Sequence, residues 1–131
     1  MKLLLDTHIW IWLAHEPEKL GRRTAELLID SRNELWLSPV SLWEFLALAA
    51  KRRFPALRDP LAWMNETLDR FPLRDAPLSR DVAFELAHFE LSHKDPADKL
   101  LVATARVLGC ELVTADARIV SSGTVAVVPN D

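Results

Sequence analysis

Short apolar runs alternate with helical patterns along this chain, and the alternation limits the folds that it can adopt. Runs with the length of buried strands lie at residues 2–5, 35–37, 112–113 and 125–128. Between them, apolar residues recur at helical spacing in segments 9–13, 25–29, 39–53, 61–68, 79–91 and 96–108. Strands separated by helices favour an α/β fold with a covered, parallel sheet.

Helix-boundary residues agree with these segments. Asp59 and Asp95 each precede a proline, as an N-cap precedes the first helical position, and Ser79 is a further N-cap candidate. Gly109 stands where a helix C-terminal glycine belongs. Residues 54–59 and 71–78 are the longest predicted irregular stretches. The 131 residues suit one domain, 1–131, and are too few for two ordinary ones.

Composition excludes some classes of protein and leaves others open. No uncharged apolar run approaches the roughly 18 to 20 residues of a membrane span, and the N-terminus lacks the pattern of a secretory signal. We therefore expect a soluble, cytoplasmic protein with no membrane partner. The single cysteine, Cys110, is predicted to be a small core residue. Four acids, described below, are candidates for a functional site. The remaining 15 Asp and Glu residues are fewer than the 16 Lys and Arg residues, so the net charge of −3 does not exclude a nucleic-acid partner.

Two aspartates directly follow predicted strands. Asp6 comes after the run 2–5, and Asp116 follows residues 112–115. Either could be a helix N-cap that accepts a backbone N–H. In an open α/β sheet, however, ligands bind beyond the carboxyl ends of the strands, so both aspartates are candidates for a shared site.

Two further acids interrupt apolar helical faces. Glu44 is the only charge between Pro39 and Ala50, and a buried carboxylate needs a partner or a cation. A narrow solvent strip beside Ser41 is the alternative. Asp98 shares a helical face with apolar residues, although it could instead complete the cap that Asp95 begins. We assign Asp95 to capping and Asp98 to the pocket, with the reverse assignment left open.

Convergence of these four acids would require neutralisation. Two unit charges about 4 Å apart cost roughly 4 kcal/mol at an effective dielectric constant near 20. Protonation is one solution, but oxygen ligands also suit Mg²⁺ or Mn²⁺, which is the simpler interpretation. The histidines are scattered and do not form a cluster of zinc type.

The segments that carry these acids resemble the PIN domain family and, within it, toxins of the VapC type. They are LLLDTHIW at 3–10, SPVSLWEF at 38–45, HKDPADKLLVATA at 93–105 and LVTAD at 112–116. The resemblance implies a three-layer α/β/α fold with a central parallel sheet of four to five short strands. It implies a catalytic and metal-binding quartet, Asp6, Glu44, Asp98 and Asp116, supported by Thr114. Lys99 departs from the pattern, since many relatives have arginine there.

The resemblance also implies an activity and partners. We expect an endoribonuclease that uses one or two Mg²⁺ or Mn²⁺ ions to activate water against an RNA phosphodiester, with Glu44 or Asp116 accepting the proton. VapC-like toxins form homodimers and are held inactive by a cognate antitoxin. The alternatives are a PIN nuclease of RNA processing and an inactive RNA- or protein-binding scaffold. A phosphotransferase of the haloacid dehalogenase type is disfavoured, because His8 stands where a second acid is needed.

The tryptophans at the start of the first predicted helix bear on protein partners. Trp10 and Trp12 are two residues apart, so they cannot both face inward from one helix. One of them is expected either in an exposed patch or under the next helix.

Overall fold

A computed structural model describes residues 1–51, 59–92 and 94–131. Five parallel strands form one sheet in the order β3-β2-β1-β4-β5. The strands are β1 (Lys2–Leu5), β2 (Glu34–Leu37), β3 (Leu73–Asp75), β4 (Glu111–Thr114) and β5 (Val127–Pro129). The predicted α/β fold with a parallel central sheet is confirmed.

The described helices connect these strands. They are α1 (Thr7–His15), α2 (Arg22–Ile29), α3 (Pro39–Ala50), α4 (Pro60–Arg70), α5 (Arg80–Glu85), α6 (Pro96–Leu108) and α7 (Ala117–Ser122), with 3₁₀ turns at Pro17–Lys19 and Leu86–His88. None of the helices in these ranges is long and apolar enough to cross a membrane.

The alternation of side-chain direction along β1 explains why the core has two layers. Leu3 and Leu5 pack in one apolar cluster with Trp10 and Phe45, whereas Leu4 packs in a second cluster with Leu101. Successive strand side chains point to opposite faces of a sheet, so the two clusters lie on opposite faces of β1. Helices cover both, which gives the expected three layers. Cys110 is buried in the second cluster, as predicted.

The predicted helix boundaries are largely confirmed. Asp59, Ser79 and Asp95 each cap a helix through a side-chain oxygen, and Gly109 adopts a left-handed conformation with φ of 68°. Asp95 accepts from the Ala97 N–H, which confirms its assignment to capping. The helix predicted over 39–53 ends at Ala50, and residues 52–58 and His93 lie outside the described residues.

Secondary structure differs from the sequence analysis in three places. Strand β3 lies within the stretch 71–78 that was expected to be irregular; it has three residues, two of them charged and exposed, so no apolar run marks it. Helix α7 was not predicted, because its six residues span less than two turns. The helix expected over 79–91 ends at Glu85 and tightens into a 3₁₀ turn.

Strand order determines where the site lies. The chain leaves β1 for β2 on one side, and β4 pairs with β1 on the other. The carboxyl ends of β1 and β4 therefore meet at the point where the strand order reverses, which is where open α/β sheets bind ligands. A backbone hydrogen bond from the Asp6 N–H to the Val113 carbonyl, 3.0 Å long, continues the β1–β4 pairing to this edge.

Candidate active site

Asp6 is fixed at the end of β1 by two hydrogen bonds. Its Oδ1 accepts from the Thr7 N–H at 2.8 Å and its Oδ2 accepts from the Thr114 hydroxyl at 2.6 Å. The side chain is buried, and burial raises the pKa of this carboxyl above its usual value, although the two hydrogen bonds lower it in part. Asp6 is both the N-cap of α1 and a cavity-lining acid, so the two roles considered from the sequence coexist.

Thr114 joins the two strand-end aspartates. Its hydroxyl donates to Asp6 and accepts from the Asp116 N–H at 3.0 Å. Thr114 is completely buried at the end of β4, so its rotamer is held by packing as well as by these bonds. The arrangement supports the expected role of Thr114 in ordering the site.

Glu44 reaches the same region from α3 through Thr7. The Thr7 hydroxyl oxygen lies 2.5 Å from Glu44 Oε1 and 2.9 Å from Ser41 Oγ. A hydroxyl carries one proton, and an ionised carboxylate only accepts, so we infer that Thr7 donates to Glu44 and accepts from Ser41. Desolvation raises the pKa of Glu44; the Thr7 hydrogen bond lowers it, and the nearby charges of Asp6, Asp95 and Asp98 raise it further.

Asp98 and Asp116 bring two further acids to the region of Asp6 and Glu44. Asp98 stands in the first turn of α6 and is only 7% exposed, whereas Asp95 beside it is exposed. Asp116 caps α7 by accepting from the Arg118 N–H at 2.9 Å. The Arg118 guanidinium also binds Asp116, with Nη2 2.9 Å from Oδ2.

All four predicted acids line one cavity of about 490 Å³. Its lining residues are Asp6, His8, Trp12, Glu44, Asp95, Asp98, Ala115, Asp116, Ala117 and Arg118. The structure therefore brings together the carboxylates that the sequence offered separately, and Asp95 reaches the same cavity while capping α6. Thr114 does not line the cavity, but its hydroxyl bonds Asp6 and the Asp116 N–H.

The donor set fits a hard divalent cation. No three described His, Cys, Asp or Glu side chains stand together as a preformed metal cluster, so the carboxylates border the cavity without closing a cage. Mg²⁺ retains several waters and is commonly held by one or two carboxylates together with phosphate, which an open acidic cavity provides. The raised pKa values of Asp6 and Glu44 show the unfavourable cost of ionising these acids without a cation.

Four other residues of the site were missed or given no role from the sequence. Thr7 connects Asp6 to Glu44, and only its position after a strand-end acid hinted at this. His8 and Trp12 line the cavity with their rings 5.9 Å apart, and Arg118 pairs with an acid two residues away. Isolated polar or aromatic residues on short helices carry no pattern of their own.

The burial of Trp10 and Trp12 shows which of the two faces the core. Trp10 is fully buried and packs edge-on against Phe45 and Trp63, whereas Trp12 is half-buried and faces the acidic cavity. The highly exposed tryptophan is Trp43 on α3, at 65% exposure, which the sequence had not singled out.

The fold agrees with comparisons to known proteins. A family model described as PIN domain matches residues 3–122. The chain belongs to the PIN domain family, as the resemblance of its motifs indicated. Among its relatives is ribonuclease VapC22 of Mycobacterium tuberculosis, which is 31% identical over 118 residues, covering 89% of this chain and 88% of the relative.

Solved structures with the same fold include VapBC2 and FitAcB. VapBC2 from Rickettsia felis, bound to a DNA fragment from its promoter, superposes with a TM-score of 0.74 at 18% identity, with 100% of both chains covered. FitAcB from Neisseria gonorrhoeae has a TM-score of 0.63 at 21% identity, covering 98% of this chain and 97% of that one. At these identities the likeness establishes the shared fold.

Proposed function

We propose that this PIN-domain protein is an endoribonuclease dependent on Mg²⁺ or Mn²⁺ and the toxin of a VapBC-type toxin–antitoxin module. The observation that carries the proposal is the arrival of Asp6, Glu44, Asp98 and Asp116 at one cavity. The relative named ribonuclease VapC22, similar over most of both chains, supports RNA as the substrate. We propose a cytoplasmic location, where an RNA substrate and an antitoxin would both be found.

Each residue of the cavity has a role in the proposed mechanism. Asp6, Glu44, Asp98 and Asp116 would hold the ion or ions, and a bound divalent ion supplies a more acidic water and offsets charge on the phosphodiester. Thr7 and Thr114 orient the carboxylates through the hydrogen bonds described above. Trp12 and His8 form a wall of the cavity.

Glu44 is the better proton acceptor of the two candidate carboxylates. Both Asp116 oxygens accept hydrogen bonds from Arg118, whereas Glu44 Oε1 accepts from a neutral hydroxyl. Burial also raises the pKa of Glu44 in the absence of a cation, which increases the affinity of this carboxylate for a proton. We therefore assign the proton transfer to Glu44.

A cleavage assay tests the proposal. Purified protein is expected to cut structured RNA with Mg²⁺ or Mn²⁺ and to stop when EDTA is added. Asp6→Asn should abolish cleavage with the fold retained, because Asn keeps the shape and removes the negative charge. Asp69→Asn, at an exposed position of α4 outside the cavity, is the matched control and should cleave like wild type.

Two results would contradict the nuclease assignment. Full activity of folded Asp6→Asn protein would remove Asp6 from the site. Stable RNA binding by the wild type without any metal-dependent cleavage would favour an inactive PIN-like scaffold. A small antitoxin reading frame directly upstream would favour a toxin over a nuclease of RNA processing, and its protein should bind this chain and stop cleavage.

A further inference from the structure

Arg118 holds a carboxylate that the proposed metal site needs. Its Nε lies 3.2 Å from Asp116 Oδ1, its Nη2 lies 2.9 Å from Oδ2, and its backbone N–H donates to Oδ1 at 2.9 Å. Among the described residues that line the acidic cavity, Arg118 is the only lysine or arginine. The guanidinium therefore supplies positive charge inside a cavity bordered by five carboxylates.

The guanidinium and a divalent cation would compete for Asp116. A cation that binds Asp116 takes an oxygen to which Arg118 now donates, and two cations on one carboxylate repel each other. The Arg118 side chain is 58% exposed, and exposed ion pairs contribute little free energy. The guanidinium can thus leave at low cost while its backbone N–H keeps Asp116 as the cap of α7.

A released guanidinium has a natural ligand in the proposed substrate. Arginine presents several N–H donors in a rigid plane that matches two oxygens of a phosphate, as it now matches the two oxygens of Asp116. Its place on the cavity wall puts it beside the carboxylates assigned to the ion. An RNA phosphate brought to that ion would restore the anionic partner that Arg118 had given up.

We propose that Arg118 exchanges partners during the reaction: it pairs with Asp116 in the resting protein and with an RNA phosphate once a divalent cation has taken Asp116. The inference rests on the proposed ribonuclease function and adds a substrate-binding residue to it. Arg118 consequently weakens metal binding in the absence of RNA and strengthens RNA binding in the presence of metal.

The metal half of the proposal is tested with Mn²⁺ alone, by electron paramagnetic resonance of the free ion. Arg118→Ala should bind Mn²⁺ roughly threefold more tightly than wild type, a change of the size expected for an exposed ion pair. Arg118→Lys should lie between them, because it retains one competing charge. Arg22→Ala removes an exposed arginine outside the cavity, paired with Glu26 on α2, and should match the wild type. Unchanged or weaker Mn²⁺ binding by Arg118→Ala would overturn the competition.

The RNA half is tested at saturating Mn²⁺. Arg118→Ala should raise the KM for RNA roughly tenfold, the loss expected for one charge-assisted phosphate contact. At the same Mn²⁺ concentration, the dependence of 1/KM on salt should become shallower by about 0.7 in log–log slope in Arg118→Ala, since one phosphate contact is lost. Arg118→Lys should keep the wild-type slope with intermediate affinity, because it preserves charge without the planar donor pair.

The outcomes separate this inference from the proposed function. A wild-type protein that binds Mn²⁺ but cleaves no RNA would contradict the ribonuclease, and the RNA half of the inference with it. A wild-type ribonuclease whose KM and salt slope are unchanged by Arg118→Ala would contradict the partner exchange alone.

Discussion

Asp6 shows at the residue scale how burial and function oppose each other. Its carboxyl is buried beside other acids, and desolvation raises its pKa above the ordinary value of 3.8. An acid whose pKa is higher in the folded than in the unfolded state favours folding most when protonated, below 3.8. That contribution is lost as pH rises through the raised pKa. Near neutral pH, the loss of that contribution lowers the stability of the metal-free protein relative to its stability below pH 3.8.

The raised pKa of Asp6 leads to a prediction about how the stability of the protein depends on pH. In EDTA near neutral pH, Asp6→Asn should have a higher Tm than wild type by a few degrees, because the amide has no ionisation that burial opposes. The difference should narrow as the pH is lowered toward 3.8, where wild-type Asp6 is itself protonated. Thermal unfolding followed by circular dichroism measures the Tm of each protein at each pH. A lower Tm for Asp6→Asn near neutral pH would show that its two hydrogen bonds outweigh the desolvation cost.

Thr114 provides a second prediction at this scale. Thr114→Val keeps the buried shape, removes the donor to Asp6 and leaves the Asp116 N–H without its acceptor. Loss of a buried partner costs about 1–3 kcal/mol, so the free energy of unfolding in urea should fall by that amount and Mn²⁺ binding should weaken. Thr114→Ser retains the hydroxyl and should preserve Mn²⁺ affinity. Equal Mn²⁺ affinity for the valine and serine variants would exclude an ordering role for the hydroxyl.

The sequence predicted acids at this scale better than it predicted their partners. A charge at the end of an apolar strand, or within an apolar helix, is visible in the sequence because it conflicts with its surroundings. Thr7 and Arg118 conflict with nothing locally. Thr7 bonds Glu44 across 37 positions, which a linear pattern does not encode, and Arg118 pairs with Asp116 two positions away without disturbing any apolar pattern.

At the scale of elements, the segment 129–131 is fastened to the start of α2. The Thr24 hydroxyl donates to the Pro129 carbonyl at 3.2 Å, and the Asn130 side chain accepts from the Gly21 N–H at 2.7 Å. The Asp131 carbonyl accepts from the Arg23 N–H at 3.0 Å. These bonds tie the strand at one edge of the sheet to a helix more than 100 positions earlier in the chain.

Gly21 permits this close approach and yields a prediction. A Cβ at Gly21 would lie 1.6 Å from the Asp131 carbonyl carbon, so Gly21→Ala should displace the segment and lower the free energy of unfolding by about 2–3 kcal/mol. Urea unfolding measures the change. The control is Gly109→Ala, whose Cβ meets nothing within 4 Å; its positive φ alone should cost about 1 kcal/mol. A smaller loss at Gly21 than at Gly109 would mean that the segment 129–131 moves aside freely.

The accuracy of element prediction depended on element size. Helices α3 and α6 are long, apolar on the buried side and begin with a proline after a capping side chain, and both were predicted. Strand β3 and helix α7 have three and six residues. Elements that short are stabilised by tertiary contacts, since neither strand pairing nor a helix of under two turns is stable alone.

At the scale of the whole molecule, we predict a homodimer. The expectation comes from the VapC resemblance, and the exposed Trp43 together with Leu46 on α3 provides apolar surface that association could bury. Equilibrium sedimentation at micromolar concentration should give about twice the chain mass of 14.9 kDa. A monomer throughout this range would contradict the prediction.

By itself, the sequence determined the α/β class, the PIN family and the four acids of the candidate site. The α/β class and the four acids follow from apolar periodicity, helix caps and charges placed against their surroundings, and the family follows from the resemblance of four short segments; all of these are local properties. Only the tertiary structure decided which side chains meet in the cavity. Thr114 bonds Asp6 across 108 positions, and Arg118 faces acids from two other helices, because strand order brings the ends of β1 and β4 together. The partners that tune a carboxylate are selected by proximity in space, which a one-dimensional pattern does not contain.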